Sequence, residues 1–339
     1  MAVQNKVVVT GAGGFIGRFI SGYLRNKGHI VTAITGSDAN KQSSGLAADK
    51  IVVNLLNNKE ELKNIFSGQD AIIHLAAKVH KKGEDLKKTG DAARDLEVGT
   101  NVLIANAAIE AGVPRFVFAS SVAVYGRNIN GEISLSTVPN PVSAYGIRKY
   151  ETEKIYSALF NCTGAASCIV LRLPMVYGPG NKGNPLRLLK VASLGIPVPL
   201  KGAKHKRSFL FVGNLGDALH SIIVAKNDPS EKHKTYLLCD GDDMTSGDFY
   251  RKISENLQKR NRMIFVPAPI LKLIGMTGSM IEFLARTSLP VNNKVISTLF
   301  DELRFSPELF CSDYAWTPPF SSDEGIRQTS DWYRSYLGK

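Results

Sequence analysis

The N-terminal residues combine a strand, a glycine turn and a helix, and this combination restricts the fold more than any other feature of the chain. Residues 6–10 (Lys-Val-Val-Val-Thr) are apolar and β-branched, which is typical of a strand buried on both faces of a parallel sheet. Gly11, Gly14 and Gly17 follow, and an apolar helical stripe then continues to Leu24. The pattern predicts a turn whose backbone N–H groups approach a pyrophosphate at the helix N-terminus; alternatively, the glycines serve packing alone.

The rest of the chain alternates strand-like apolar runs with helical patterns. Examples are residues 29–35, 70–77 and 114–121 as strands, and residues 59–66 and 94–111 as helices. This alternation predicts an α/β fold, a doubly wound parallel sheet of the Rossmann type, with its ligands at the carboxyl ends of the strands.

Three residues have the types and spacing of a hydride-transfer site. Ser121 ends a predicted strand, Tyr145 follows 24 positions later, and Lys149 lies one helical turn beyond it. A tyrosine pKa of about 10 is too high for a base at neutral pH, so the phenolate needs a nearby cation. Lys149 can supply that cation and reach the nicotinamide ribose, while Ser121 holds the substrate oxygen. The alternative is an ordinary tyrosine and lysine on an amphipathic helix.

The end of the second predicted strand bears on the choice of cofactor. Enzymes specific for NAD usually carry an acidic residue there, which binds the ribose hydroxyls. Here Thr35 is followed by glycine and serine, no acid occurs before Asp38, and Lys41 could meet a 2′-phosphate. We therefore expect NAD or NADP, with a slight preference for NADP or for tolerance of both.

Composition excludes several other classes of protein. No apolar run reaches the ~20 residues that span a bilayer, and the four cysteines lack metal-type spacing. Because the first strand starts at once, we expect a cytoplasmic protein without a signal peptide, with reduced thiols and no metal site. The net charge of +12 comes mostly from dispersed lysines, with denser groups at 78–88 and 201–207. These groups form either a solvated surface or a rim that attracts a diphosphate-bearing substrate or a membrane; we expect no nucleic acid partner.

Five segments together resemble a known family. They are residues 10–17, 74–77, 120–126, 145–149 and 171–180, and they are similar to the extended short-chain dehydrogenases of the NAD-dependent epimerase/dehydratase family, over nearly the whole chain. The resemblance implies a nucleotide-diphosphate sugar as substrate and a smaller C-terminal α/β substrate domain. It places the dinucleotide-binding domain with the Ser/Tyr/Lys set at 1–178 and a mainly nucleotide-sugar-binding domain at 179–339, some segments of which return to the first. It also implies a homodimer formed by the helices near 94–111 and 145–160.

The resemblance also implies binding residues. Those for the cofactor are Gly11, Gly14, Phe15, Ile16, Gly17, Asn54, Leu55, Leu75, Ala76, Ala77, Ser120, Tyr145, Lys149, Pro174 and Val176. Those for the substrate are Lys78, Val122, Tyr145, Asn184, Leu186 and Arg207.

Departures from the family pattern bear on the reaction. Met175 occupies a position where UDP-galactose 4-epimerases typically have asparagine, and the usual Asn-Val-x-Gly-Thr segment reads Leu-Glu-Val-Gly-Thr at 96–100. Segments 75–80, 180–184 and 208–215 instead resemble UDP-hexosamine 4-epimerases and 4-keto-reductases of polysaccharide gene clusters.

The leading interpretation is an NAD(P)-dependent 4-epimerase of a UDP-hexose or UDP-N-acetylhexosamine, acting in cell-surface polysaccharide biosynthesis. The alternative is an NADPH-dependent reductase of a UDP-4-keto-6-deoxy-hexosamine. A 4,6-dehydratase would need an acidic pair where the chain has Val122 and Ala123. A non-catalytic dinucleotide- or RNA-binding scaffold is a distant alternative. The apolar stretch at 264–285 is either packed helix or a weak membrane-surface patch.

Overall fold

The computed structural model describes residues 4–36, 45–53, 58–76, 90–126, 131–162, 166–202, 204–225, 233–267, 270 and 302–337, with the backbone alone at 90–96 and at Asn184. The strands are β1 (Lys6–Thr10), β2 (Ile30–Thr35), β3 (Lys50–Val53), β4 (Ala71–His74), β5 (Arg115–Ser121), β6 (Glu132–Ile133), β7 (Ser167–Leu173), β8 (Met175–Tyr177), β9 (Lys206–Arg207), β10 (Phe209–Phe211), β11 (His233–Leu237), β12 (Met244–Thr245) and β13 (Arg304–Phe305). The helices are α1 (Phe15–Asn26), α2 (Lys59–Phe66), α3 (Gly90–Glu110), α4 (Ala144–Asn161), α5 (Asn184–Ser193), α6 (Val212–Val224), α7 (Ser246–Asn256), α8 (Glu308–Tyr314) and α9 (Ser322–Leu337).

Seven of the strands form one parallel sheet. Their order is β11-β7-β5-β4-β1-β2-β3, and every pairing within the sheet is parallel. The chain leaves β1 in one direction to build β2 and β3, and β4 lies on the other side of β1. The predicted doubly wound sheet is confirmed, with its switch point between β1 and β4, where such sheets bind their ligands.

Apolar side chains cover both faces of this sheet. Val7 and Val9 lie in a buried cluster with side chains of α1 and α6, and Val8 lies in a second cluster with side chains of α2, α3 and α4. This alternation explains why β1 reads as a continuous apolar run in the sequence, since both faces of the strand are buried.

Short strands and a further apolar cluster occur outside the main sheet. Three pairs of short strands occur, β8 with β10, β9 with β12, and β6 with β13. A third apolar cluster contains side chains of α5, α7, α9 and β10. The sheet strand β11 comes from the sequence beyond residue 178, and the division of domains at that residue stays a prediction.

The described residues were searched for a membrane-spanning helix and for a metal site. Among them, no helix is both long enough and apolar enough to cross a bilayer. The described residues also contain no group of three or more side chains suited to hold a metal ion. Of the apolar stretch at 264–285, residues 268–269 and 271–285 lie outside the described residues.

Candidate active site

The glycine turn is shaped for close approach of a ligand to the backbone. Gly11 has φ +71°, and a Cβ atom there would lie 2.7 Å from the backbone nitrogen of Ala76. A Cβ atom on Gly17 would overlap the carbonyl oxygen of Gly11, while the Gly14 N–H donates to that same oxygen at 3.0 Å. No described side chain caps α1, which starts at Phe15. Its first N–H groups therefore remain suited to a pyrophosphate.

Further residues around the turn suit a dinucleotide. Leu75 and Ala76 follow β4 and bind back to Thr10, whose carbonyl accepts from the Leu75 N–H at 3.2 Å. At the end of β2, the buried hydroxyl of Thr35 has no hydrogen-bond partner among the described residues. An orphaned hydroxyl there suits a ribose. The predicted residues Asn54, Leu55, Ala77 and Lys78 lie outside the described residues, as do Asp38 and Lys41.

Close packing brings Ser121 and Tyr145 together. Ser121 ends β5, and its Oγ accepts from the Ala123 N–H at 3.2 Å, which caps a short 3₁₀ turn at Val122–Tyr125. A Cβ atom on Gly146 would overlap the Ala123 carbonyl oxygen, so glycine lets the first turn of α4 lie against this 3₁₀ turn.

Tyr145 sits at the first turn of α4 with 39% of its surface exposed. The protein atoms that crowd its hydroxyl raise the pKa of Tyr145, and a hydrogen bond with Ser121 lowers it in part. The structure thus places these two predicted residues side by side, and their catalytic roles stay predictions. The net rise makes a nearby cation necessary if Tyr145 is to act as a base.

Lys149 supplies a buried cation next to Tyr145. It is 5% exposed, its Nζ donates to the carbonyl of Ala119 at 2.7 Å, and it lies 4.4 Å from the ring centroid of Phe118 and 6.0 Å from that of Tyr145. Burial lowers the pKa of Lys149 to about 8. The ammonium form therefore predominates at pH 7 and is lost as the pH rises above 8.

A buried ion pair that sequence reasoning missed lies behind these residues. Arg172 contacts Glu153 through Nη2 and Oε2 at 2.7 Å, and its Nη1 donates to the hydroxyl of Tyr125 at 2.6 Å. Ser120, predicted to bind the cofactor, directs its hydroxyl to Glu153, and its role toward a cofactor stays a prediction. The only sequence signal was Arg172 itself, within the family-like segment 171–180.

A buried hydrogen-bond chain connects the glycine turn with α4, the helix that carries Tyr145 and Lys149. Thr10 Oγ1 and His74 Nδ1 are 2.7 Å apart, His74 Nε2 is 3.0 Å from Asn101 Oδ1, and Asn101 Nδ2 donates to Thr152 Oγ1 at 3.0 Å. Burial lowers the pKa of His74 to about 4, so the ring is neutral. Since Asn101 Oδ1 can only accept, Nε2 carries the proton and Nδ1 accepts from Thr10.

The predicted residues of the second half lie on several elements. Pro174 connects β7 to β8, and Val176 pairs with Leu210 of β10. Arg207 lies in β9, opposite Met244 of β12. Leu186 lies in the first turn of α5, as does Asn184, whose side chain is outside the described part. Their roles toward a substrate stay predictions.

A sequence comparison shows the family of the chain. The sequence model of the NAD dependent epimerase/dehydratase family matches residues 7–239. The chain belongs to this family. It is similar to the UDP-glucose 4-epimerase of Vibrio cholerae, with 26% identity over 331 residues, 97% of this chain and 95% of the relative. It is also similar to the N-acetyl-alpha-D-glucosaminyl-diphospho-ditrans,octacis-undecaprenol 4-epimerase of Escherichia coli O157:H7, with 24% identity over 337 residues, 96% of this chain and 95% of the relative.

Solved structures show the same fold at low sequence identity. The UDP-N-acetylglucosamine 4-epimerase from Methanobrevibacter ruminantium, in complex with UDP-N-acetylmuramic acid, superposes with a TM-score of 0.75 at 19% identity, covering 98% of this chain and 99% of that chain. The UDP-glucose 4-epimerase of Thermus thermophilus, in complex with NAD, gives a TM-score of 0.71 at 22% identity, covering 97% and 99%.

Membership of an NAD-dependent enzyme family indicates NAD as the cofactor. The glycine turn and the orphaned Thr35 hydroxyl fit such a group. The slight preference for NADP, which we drew from the end of the second strand, finds no support in these comparisons.

Proposed function

We propose that this protein is an NAD-dependent 4-epimerase of a UDP-sugar, acting in the cytoplasm on a UDP-hexose or UDP-N-acetylhexosamine for cell-surface polysaccharide biosynthesis. The observation that carries the proposal is the hydrogen-bonded Ser121–Tyr145 pair with the buried Lys149 ammonium beside it. Val122 and Ala123 follow Ser121, where dehydration chemistry would need carboxyl groups. The relatives from Vibrio cholerae and Escherichia coli are both named as 4-epimerases. The comparisons do not favour the 4-keto-reductase.

The chemistry follows from the three side chains. Tyr145, as phenolate, takes the proton of the C4 hydroxyl while Ser121 holds the oxygen, and bound NAD supplies the hydride acceptor. Lys149 keeps its charge beside the phenolate at neutral pH. After the keto sugar turns over, C4 would receive the hydride back from the reduced cofactor on its opposite face, and Tyr145 returns the proton to the C4 oxygen. Arg207 is proposed to bind the diphosphate, since a guanidinium suits bidentate contact with phosphate oxygens.

The test starts from the protein as purified. The dinucleotide released on denaturation is identified, and fresh enzyme is incubated with UDP-GlcNAc without added cofactor while the C4 configuration is followed by NMR. Bound NAD and formation of UDP-GalNAc would support the proposal. A protein that is purified without bound dinucleotide, and that is active only with NADPH and a 4-keto-6-deoxy UDP-sugar, would overturn the proposal. Tyr145→Phe should abolish turnover, whereas Tyr150→Phe, on the same helix, should retain it.

We also propose a homodimer formed through α3 and α4, which pack against each other within the chain. Ile147 lies on α4 with an exposed apolar side chain. Light scattering of the wild type and of Ile147→Glu tests this: a monomeric wild type would refute it.

Weak membrane association is a separate proposal, and an exposed basic and apolar surface supports it. Leu194 is 71% and Phe265 66% exposed. The segments that carry them are joined by a hydrogen bond from the Val198 N–H to the Arg262 carbonyl at 3.0 Å. Residues 186–206 and 257–267 contain no acidic residue and eight basic ones, Arg187, Lys190, Lys201, Lys204, Lys206, Lys259, Arg260 and Arg262. A surface of this composition fits anionic lipid headgroups.

Flotation with vesicles tests this association. The wild type should float with phosphatidylcholine vesicles that contain phosphatidylglycerol, and less so at high salt. The variant K259E/R260E/R262E should lose this binding, whereas K6E/K50E/K154E, with the same change in charge elsewhere on the molecule, should keep it. Equal loss in both variants, or no flotation of the wild type, would refute the proposal.

A further inference from the structure

Two polar contacts, one helical turn apart, join α3 to the catalytic helix α4. Arg148 Nε lies 2.9 Å from Glu97 Oε2, and Asn101 Nδ2 donates to Thr152 Oγ1 at 3.0 Å. Glu97 and Asn101 are four residues apart on α3, and Arg148 and Thr152 are four residues apart on α4, so each pair lies on one helix face. The first contact therefore lies level with the turn that carries Tyr145 and Lys149.

The Glu97–Arg148 contact is an ion pair with little access to water. The side chains are 14% and 11% exposed, respectively. The Nε–H is not aligned with the carboxylate, so the attraction is one of charge rather than of a directed hydrogen bond. Charges in such surroundings are costly unless they are paired, and removal of one leaves the other uncompensated. Glu97 also stands where the family-like Asn-Val-x-Gly-Thr pattern has valine.

Both charges act on the catalytic pair, in opposite directions. Arg148 precedes Lys149 and lies three residues beyond Tyr145. Its positive charge lowers the pKa of both residues, and the negative charge of Glu97 raises the pKa of both. Tyr145 and Lys149 thus lie beside a compensated pair of charges.

Among the described residues, further polar groups near Tyr145 and Lys149 come from the sheet and from α4. Ser121 on β5 hydrogen-bonds Tyr145; Glu153 on α4 raises the pKa of Lys149 but is itself paired with Arg172 of β7; His74 on β4 is neutral. The structure places Glu97 against Arg148 at this turn, where its charge opposes that of Arg148.

We propose that Glu97 is a positioning residue of this active site: it holds Arg148 across the helix interface and screens the Arg148 charge from the Tyr145–Lys149 pair. In its absence, the uncompensated cation would favour the phenolate form of Tyr145 and allow it to act as a base at lower pH. The inference rests on the proposed function for its kinetic readout and on the titration of Tyr145 for a readout without substrate.

Glu97→Gln removes the charge at nearly constant size. The rising limb of the pH profile of kcat/KM should move to lower pH by about one unit, the effect of a unit charge at roughly 10 Å with an effective dielectric constant of about 20. The double variant E97Q/R148M removes both charges and should return the profile close to that of the wild type. R148K, which keeps the cation, should behave as the wild type, because the contact depends on charge.

Glu110→Gln is the matched control. Glu110 lies on the same helix and is ion-paired with Lys59 at 2.5 Å, far along α3 from the catalytic turn, so its profile should not shift. The absorbance of tyrosinate, taken as the difference between each protein and its Tyr145→Phe form, follows the same titration without substrate. A shifted titration in a protein inactive on UDP-GlcNAc would refute the proposed function alone. An unchanged titration in E97Q, or an equal shift in E110Q, would overturn the role of Glu97.

Discussion

Lys149→Met removes the buried cation on which the proposed base depends. The Nζ atom of Lys149 lies 6.0 Å from the ring centroid of Tyr145. With an effective dielectric constant of about 20, a unit charge at this separation changes the free energy of the phenolate by roughly 2.8 kcal/mol, or about 2 pH units. The sign is fixed by the charge: the ammonium favours the phenolate, so its removal raises the pKa of Tyr145. We expect the rising limb of the pH profile to move upward by about this amount.

The assay is UDP-GlcNAc epimerisation between pH 5 and 10, with bound NAD quantified in each preparation. The two profiles should differ most below pH 8, because the pKa of Lys149 is about 8 and the wild type loses the cation above that value. Lys154→Met is the matched control, since Lys154 lies on the same helix with its Nζ 4.9 Å from the ring centroid of Tyr150. If Lys149→Met lowers the activity at every pH but leaves the rising limb at the same pH, this electrostatic role is refuted.

Three other changes test the site and its supports. Gly11→Ala places a methyl group against Ala76 at φ +71°, and we expect NAD affinity to fall by about 10- to 100-fold in calorimetric titration. Arg172→Met leaves Glu153 buried without its partner, which should lower the free energy of unfolding by about 3–5 kcal/mol in urea titrations. Burial raises the pKa of Asp240 to about 6, above its unfolded value, so this group stabilises the fold at low pH and that contribution is lost as the pH rises from about 4 to 6. Asp240→Asn should flatten that part of the stability curve, and an unchanged curve would contradict the assignment.

The local sequence was enough to predict individual strands and helices and to propose the reactive side chains. The β-branched run before Gly11 and the apolar stripe after Gly17 specify strand, turn and helix through short-range sterics and periodicity, so β1 and α1 were predictable within a residue or two. Ser121, Tyr145 and Lys149 were predicted as the reactive set because their types and spacing match those needed for one reaction. Glycine at position 146 allows α4 to approach the 3₁₀ turn and thereby permits the Tyr145–Ser121 contact. The sequence contains this glycine, but only the structure shows the close approach that requires it.

The tertiary structure alone decided which charges and hydroxyls meet. Glu97 contacts Arg148 although the two residues lie far apart in the sequence, and the chain from Thr10 through His74 to Asn101 crosses two strands and a helix. Such contacts cannot be predicted from the spacing of residues along the sequence, because they depend on strand order and on how closely helices pack against the sheet. The same holds for β11, which enters the main sheet from the second half of the sequence. The sequence by itself thus determined which side chains are proposed to react, because their types and spacing are local, whereas the packing of distant elements determined the charges and hydrogen bonds around them.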